Sequence, residues 1–309
     1  MKLKKNLLLC YAVSVALLTF VLIPIAFMVL GGFTPEVDLK SSAGSPMFAH
    51  GLTPVYYQYI FLSPFGVQIS QLSNGDPYVV PDITGITRTL NVLNVSYFLG
   101  ILSNSIIIAT TVAVTNLLLA SMAAFSFARI MYRGRTAAFV FVLLSRLLPP
   151  VVLAIPYYLL IQTLGLLNNL GSVILIDTVL TLPFSIWYLV LYYRTIPVEI
   201  EEASLVDGAS LWQTFRTITL RISGSGLAAI TIFSFLISYN EFLFSHFLLQ
   251  RTELQTVPVY VVYLSTSLAV YWSIIHAVLA LTILPMVILI LLFRKFINIS
   301  ELAGALKST

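Results

Sequence analysis

Glu201-Glu202-Ala203-Ser204-Leu205-Val206-Asp207-Gly208-Ala209 is a polar interruption between two long apolar runs, and it leads into Leu211, Trp212, Phe215, Ile218 and Leu220. Pro197 suits the first turn of a helix, where its missing N–H costs nothing, and Glu199, Glu201 and Glu202 favour the positive end of the helix dipole. Asp207-Gly208 supplies the turn that ends this helix, because glycine tolerates the left-handed conformation there. Ser210 and Gln213 have capping-box spacing and start a second helix. Leu211, Phe215 and Ile218 fall on one face of that helix, with Trp212 beside them. A short amphipathic helix is not stable alone in water. The segment is too polar to span a bilayer and too apolar for an idle linker, so it asks for a groove on another protein.

Outward from this segment the chain is 59% hydrophobic and only 9% charged, which excludes an ordinary soluble domain. A membrane span needs ~20 predominantly apolar residues. Runs of that kind lie near 7–31, 101–128, 137–164, 171–193, 226–248 and 273–293, while 256–271 is shorter and contains Pro258. Counting basic residues decides between six and seven spans. With six, Lys2, Lys4, Lys5, Arg129, Arg133, Arg135, Arg194, Arg216, Arg221, Arg294, Lys295 and Lys307 share one side, and only Lys40, Arg88 and Arg251 face the other. The expectation is therefore an all-α polytopic membrane protein of six transmembrane helices with both termini cytoplasmic, in which 256–271 is an external or re-entrant helix.

The net charge of +4 thus reports topology. No basic stripe interleaved with aromatics points to nucleic acid. Lys2 to Lys5 before a long apolar run imitates a signal peptide, but the run is too long and lacks a small-residue cleavage site, so it is expected to stay as an anchor. Cys10, the only cysteine, excludes an intrachain disulfide and a cysteine-based zinc site. Residues 32–98 form one long extracytoplasmic insert with aromatics at Tyr56, Tyr57, Tyr59 and Phe61, read either as a structural cap or as a contact surface for an external partner. Asn94-Val95-Ser96 is a glycosylation sequon on the external side.

The polar interruption, quoted whole as Glu-Glu-Ala-Ser-Leu-Val-Asp-Gly-Ala with Phe215, Ile218 and Leu220, resembles the cytoplasmic coupling loop of binding-protein-dependent ABC importer permeases of the maltose/trehalose-type sugar branch. The tract Ala124-Phe125-Ser126-Phe127-Ala128-Arg129 followed by Tyr132-Arg133-Gly134-Arg135 is similar to the same family, and the resemblance covers roughly 97–309. The chain departs at Arg221 and Ser225, where the family has prolines that shape the exit from the loop. The resemblance implies a permease fold with a cytoplasmic coupling helix, and the apolar runs divide the chain into a cytoplasmic N-terminus and first span over 1–31, the insert over 32–98 and a core of five spans over 99–309. A coupling loop at 195–222 and a cytoplasmic tail at 294–309 belong to that core. It also implies partners: ATP-binding cassette ATPase subunits docking on the loop, a second permease subunit, an extracytoplasmic solute-binding protein, a sugar substrate and membrane lipid. In the loop, Glu201, Glu202, Ala203, Asp207, Gly208 and Ala209 are expected to set the shape of the joint, and Leu211, Trp212 and Phe215 its buried anchor.

An enzyme reading finds no support. His50, His246 and His276 lack metal-site spacing, and without a Gly-Lys pair there is no phosphate-cradling loop, so no cofactor is expected and ATP would be bound by another subunit. Ionisable groups inside spans point to function by default. Arg146 lies ten residues past Thr136, ~15 Å deep at ~1.5 Å per residue, either facing a water-filled path or paired with Asp177, Glu241 or a partner. Asn240-Glu241-Phe242 interrupts the fifth run, and a similar tract occurs in the family; Asn240 and Glu241 are either path-lining groups for sugar hydroxyls or helix–helix hydrogen-bonding groups. Asp177, near the end of its span, is expected to be hydrated at the interface. The tail Ala303-Gly304-Ala305-Leu306-Lys307 either reaches the ATPase pair or frays. Two rival functions remain at this stage: an ion-gradient-driven secondary transporter, for which Arg146, Asp177 and Glu241 are few and scattered, and a membrane scaffold.

Overall fold

The computed structural model describes residues 2–40, 48–65, 67, 69–73, 78, 95–266 and 270–296. Arg88, the sequon at Asn94, Lys307 and the tail from Asn298 lie outside the described residues. Every regular element described is helical. In chain order the helices are α1 Lys2–Gly31, α2 Glu36–Lys40, α3 Val55–Leu62, α4 Phe98–Arg129 and α5 Arg135–Leu144, which continues as a 3-10 turn Ser145–Leu147. There follow α6 Pro150–Thr163, α7 Leu170–Arg194, α8 Val198–Val206, α9 Leu211–Ile222, α10 Gly224–Tyr239 and α11 Leu243–Leu248. The last three are α12 Val257–Thr266, α13 Trp272–Thr282 and α14 Leu284–Phe293.

Four stretches are long and apolar enough to cross a membrane: Cys10–Gly31, Val95–Arg129, Leu170–Arg194 and Trp272–Phe296. Six are reached by counting two bent pairs as one span each: the helix through Leu147 with α6, and α9 with α10. The run 137–164 is broken, with the helix through Leu147 meeting α6 at 95°. The cause is Pro149-Pro150: a residue before proline is pushed out of the helical region, and Leu148 and Pro149 are both extended, with ψ of 124° and 131°. The run 226–248 also stops early, because α10 ends at Tyr239 and α11 begins at Leu243. The 10-residue α12 is too short to span on its own, in keeping with its expected exclusion from the count.

The chain divides into two compact units, residues 1–100 with 260–284, and 101–259 with 285–309. In the first, the insert is anchored to α13. The carboxylate of Glu36 is fully buried and accepts hydrogen bonds from the backbone N–H groups of Trp272 (3.0 Å) and Ser273 (2.9 Å), satisfying donors at the α13 N-terminus, while Lys40 pairs with it at 3.2 Å. Gly31 and Gly32 allow α1 to approach closely: a Cβ on Gly31 would lie 2.5 Å from the His276 ring, and one on Gly32 would lie 2.9 Å from the Ala277 Cα. In the second unit, α4, α7 and α10 meet through small and hydroxyl side chains. Asn116 Nδ2 donates to Thr181 Oγ1 (2.5 Å) and Ser234 Oγ (3.1 Å), and Ser185 and Ser234 hydroxyls lie 3.3 Å apart. Such groups let membrane helices pack closely and hydrogen-bond across the contact.

Candidate functional site

The polar interruption folds as the sequence indicates at both ends of its turn. Helix α8 closes with Gly208 at φ +89°, Ala209 N donating to Ser204 O (3.0 Å) and Gly208 N to Leu205 O (3.1 Å), a complete Schellman ending. Helix α9 opens with a full capping box: Ser210 Oγ accepts from Gln213 N (3.3 Å) and Gln213 Oε1 from Ser210 N (2.7 Å). The two helices are pinned together by the Ser204 and Thr214 hydroxyls at 2.7 Å.

A second set of bonds ties this hairpin to the end of α4. Arg129 Nε donates to Glu201 Oε2 at 2.6 Å and its Nη2 donates to the Ile196 carbonyl at 2.9 Å. Thr219 Oγ1 donates to the other Glu201 oxygen at 2.9 Å. The Arg129 and Glu201 side chains are only 10% and 6% exposed, so this is a buried pair with most of its lone pairs and protons satisfied. In sequence terms Arg129 is merely one of the basic residues flanking a span; its partner lies 72 positions away and no local signal connects them.

Phe215 is 3% exposed and packs inside the chain, its ring 5.0 Å from that of Phe125 in a cluster with Ala120, Ala124, Leu189, Val190 and Tyr193. This differs from the expected shared outward anchor with Leu211 and Trp212. Phe215 N still donates to Leu211 O, so it keeps ordinary helical register with Leu211, and it is side chains of α4 and α7 that cover its ring; the π turn at Phe215–Thr219 acts on the residues after it. Thr214, Phe215 and Thr219 face inward, while Leu211 and Trp212 (55% exposed) stay outside with Leu205 and Val206 (88%). Glu202, Ala203, Asp207 and Gly208 are also exposed and Ala209 is half-buried. Although the prolines are missing at Arg221 and Ser225, the exit from α9 is still sharp. Helices α9 and α10 meet at 80° around Ser223, whose hydroxyl donates to Thr219 O at 2.5 Å, and Gly226 lies against the Tyr192 ring, where a Cβ would come within 2.7 Å.

The second group of candidate residues gathers at a cavity of about 400 Å³ in the same unit, lined among others by Arg146, Tyr157, Asp177, Thr181 and Glu241. Arg146 stands in the turn next to the α5–α6 break, with its guanidinium 5.6 Å from the centre of the Phe184 ring. Among the described residues it makes no ion pair. Glu241 Oε1 accepts from Phe244 N (2.7 Å) and Oε2 from Ser245 N (2.9 Å) and Ser245 Oγ (2.9 Å), so it caps α11. Asn240 is exposed, is not among the residues lining the cavity, and donates to Leu236 O at 2.8 Å, ending α10. Asp177 departs from expectation: it is 2% exposed, with Oδ2 accepting from Ser238 Oγ at 2.5 Å. The signal for it was present, since Asp177, Thr181 and Ser185 stand at i, i+4 and i+8 and so share one face of α7.

The fold is similar to that of a bacterial ABC transporter involved in the import of the acidic polysaccharide alginate, with a TM-score of 0.70 at 17% identity over 96% of this chain and 99% of that one. The trehalose/maltose transport system permease protein MalG of Thermococcus litoralis is 33% identical over 68% of this chain and 76% of its own length. The diacetylchitobiose uptake system permease protein DasC of Streptomyces coelicolor is 27% identical over 82% of this chain and 91% of its own. Residues 116–299, which hold the hairpin, its Arg129 tether and the cavity, match one family along their whole length, and this chain belongs to it: the inner membrane components of binding-protein-dependent transport systems.

Proposed function

We propose that this chain is the permease subunit of an ATP-driven sugar importer, forming half of the translocation path and passing the ATPase cycle to it through the hairpin at 195–222. The observation that carries this reading is the division of labour within the hairpin. Its inner face is locked to α4 by Arg129 and Glu201, and its outer face presents Leu205, Val206, Leu211 and Trp212. A joint that transmits motion needs a rigid attachment on one side and a desolvable anchor on the other, and large exposed aromatics are the usual centres of such interfaces.

The partners in this reading are two ATP-binding cassette ATPase subunits, one of them seated on this hairpin, a second permease, an extracytoplasmic solute-binding protein and the surrounding lipid. Sugar as cargo is supported by the trehalose/maltose and diacetylchitobiose systems in which two relatives serve. Both termini are placed in the cytoplasm, because Arg129, Arg133, Arg135, Arg194, Arg216, Arg221, Arg294 and Lys295 then share the side of the hairpin. ATP biases the permease pair between inward- and outward-facing states only through differential binding, and a rigid hairpin is what carries that bias across the subunit boundary. The test is uptake of radiolabelled trehalose, maltose and diacetylchitobiose into vesicles holding the reconstituted assembly. Accumulation that needs ATP and persists with an ionophore is expected. Accumulation driven by an ion gradient without ATP overturns the reading.

A further inference from the structure

The insert carries a helix that is apolar on both faces. On α3 the inner face, Val55, Tyr56, Tyr59 and Ile60, is buried in the first unit. The outer face runs on through a 3-10 turn at Ser63–Phe65 and presents Pro54, Gln58, Phe61, Leu62 and Phe65 at helical spacing. Phe65 is 82% exposed and Phe61 47%, and Gln58 is the single polar side chain among the five. A helix that is apolar all round belongs in a core or in lipid, not in water. From Gly51 to Gly75 the sequence holds no Asp, Glu, Lys or Arg that could keep such a face hydrated.

Two contacts set the depth of this face. Tyr57 Oη donates to the Val29 carbonyl at 3.0 Å, just before the first apolar span ends at Gly31. The Ser63–Phe65 turn packs on a second 3-10 turn, Val95–Tyr97, which leads into α4. Tyr97 is exposed and precedes the apolar run that begins at 101 by four residues, ~6 Å at ~1.5 Å per residue. The headgroup layer on each side of the hydrocarbon is ~5–7 Å thick, so both contacts hold α3 at that layer. Aromatic rings gather there.

A soluble binding protein and the bilayer compete for a face at this depth. The binding protein comes and goes, and each departure would return Phe61, Leu62 and Phe65 to water. Protein interfaces also carry a polar rim, and this stretch has no charge from which to build one. Lipid is present at all times and asks for none. We propose that α3 and the turn after it lie on the outer leaflet as an interfacial aromatic anchor, with Phe61, Leu62 and Phe65 sunk to the boundary between headgroups and acyl chains. The depth follows from the two contacts; the choice of outer leaflet rests on the topology proposed above.

The test uses single cysteines in the complete assembly in lipid nanodiscs. Cys10→Ser is the background, because Cys10 is the only cysteine. A nitroxide is attached at Phe65→Cys and, on the same face, at Phe61→Cys. Oxygen concentrates in hydrocarbon and a water-soluble nickel chelate is excluded from it, so the ratio of their collisions with the label reads depth. At both positions the oxygen-to-nickel ratio is expected to be several-fold above that of the same label on glutathione in the buffer, and to stay unchanged when loaded binding protein is added. A ratio equal to that of the glutathione label places the face in water. Loss of access to both reagents places it against protein, and shielding from nickel only with binding protein present makes it that protein's dock. Each of these overturns the proposal. Reaction of Ala49→Cys, in the exposed turn before α3, with a membrane-impermeant thiol reagent outside sealed right-side-out vesicles reports on the topology alone, so a wrong leaflet is distinguishable from a wrong depth.

Discussion

Replacing Arg129 with alanine tests the idea that the hairpin is a lever fixed to the transmembrane helices. The substitution removes the 2.6 Å bond to Glu201 and the 2.9 Å bond to the Ile196 carbonyl. It leaves a carboxylate that is 6% exposed with one remaining donor, Thr219 Oγ1. Removing one partner of a buried ion pair costs ~3–5 kcal/mol, and the surviving Thr219 bond places this case near ~3. At ~1.4 kcal/mol per factor of ten, the hairpin is then held in place about 100-fold less firmly. The assay is ATP hydrolysis stimulated by loaded binding protein in the reconstituted assembly, read beside thermal unfolding. Arg129→Ala is expected to insert normally, lose most of the stimulation and unfold at lower temperature. The double substitution Arg129→Met with Glu201→Leu leaves no charge buried and is expected to regain part of the stability. Arg129→Ala with unfolding within ~0.5 kcal/mol of the parent and full stimulation refutes the reasoning, because it means the pair behaves as a screened surface contact.

Other substitutions separate shape from anchoring. Gly208→Ala forces a Cβ into a φ of +89° where nothing else crowds it, so it is expected to cost ~1–2 kcal/mol through backbone strain alone, seen as a lower unfolding midpoint. Trp212→Ala removes a ring that is 55% exposed and packs at 5.4 Å on Phe215, so it is expected to lower stability by only about 1 kcal/mol while abolishing stimulated ATP hydrolysis, measured in the same assembly. Glu36→Ala strips the buried acceptor from the Trp272 and Ser273 amides and from Lys40; a loss of ~1–3 kcal/mol in thermal unfolding is expected, with Glu36→Gln losing less.

Local chemistry makes the hairpin legible in the sequence. Ser210 with Gln213, and Gly208 after Asp207, act within a few residues of one another, and each sits in the conformation its type favours. The membrane-spanning class was legible for the same reason, since long apolar runs need no partner to be recognised. What escaped depended on a helix break or on distance. Averaging apolarity over 137–164 passes across Leu148, which Pro149 holds extended. A 3.6-residue period groups Phe215 with Leu211, and the α4 and α7 side chains that bury Phe215 alone come from distant parts of the chain. Asp177 is counted as interfacial from its position along α7, while its burial comes from Ser238 on α10. The Arg129–Glu201 pair joins residues 72 apart in sequence, and only the folded chain brings them together.

The most direct measurement is mass spectrometry of what co-purifies with this chain from its native membranes in mild detergent, for the parent and for Trp212→Ala. The account predicts a P-loop ATPase and a second permease in fixed stoichiometry with the parent, and loss of the ATPase with Trp212→Ala while the second permease stays. Recovery of the chain without an ATPase, or an ATPase retained equally by Trp212→Ala, contradicts the claim that this hairpin is the joint.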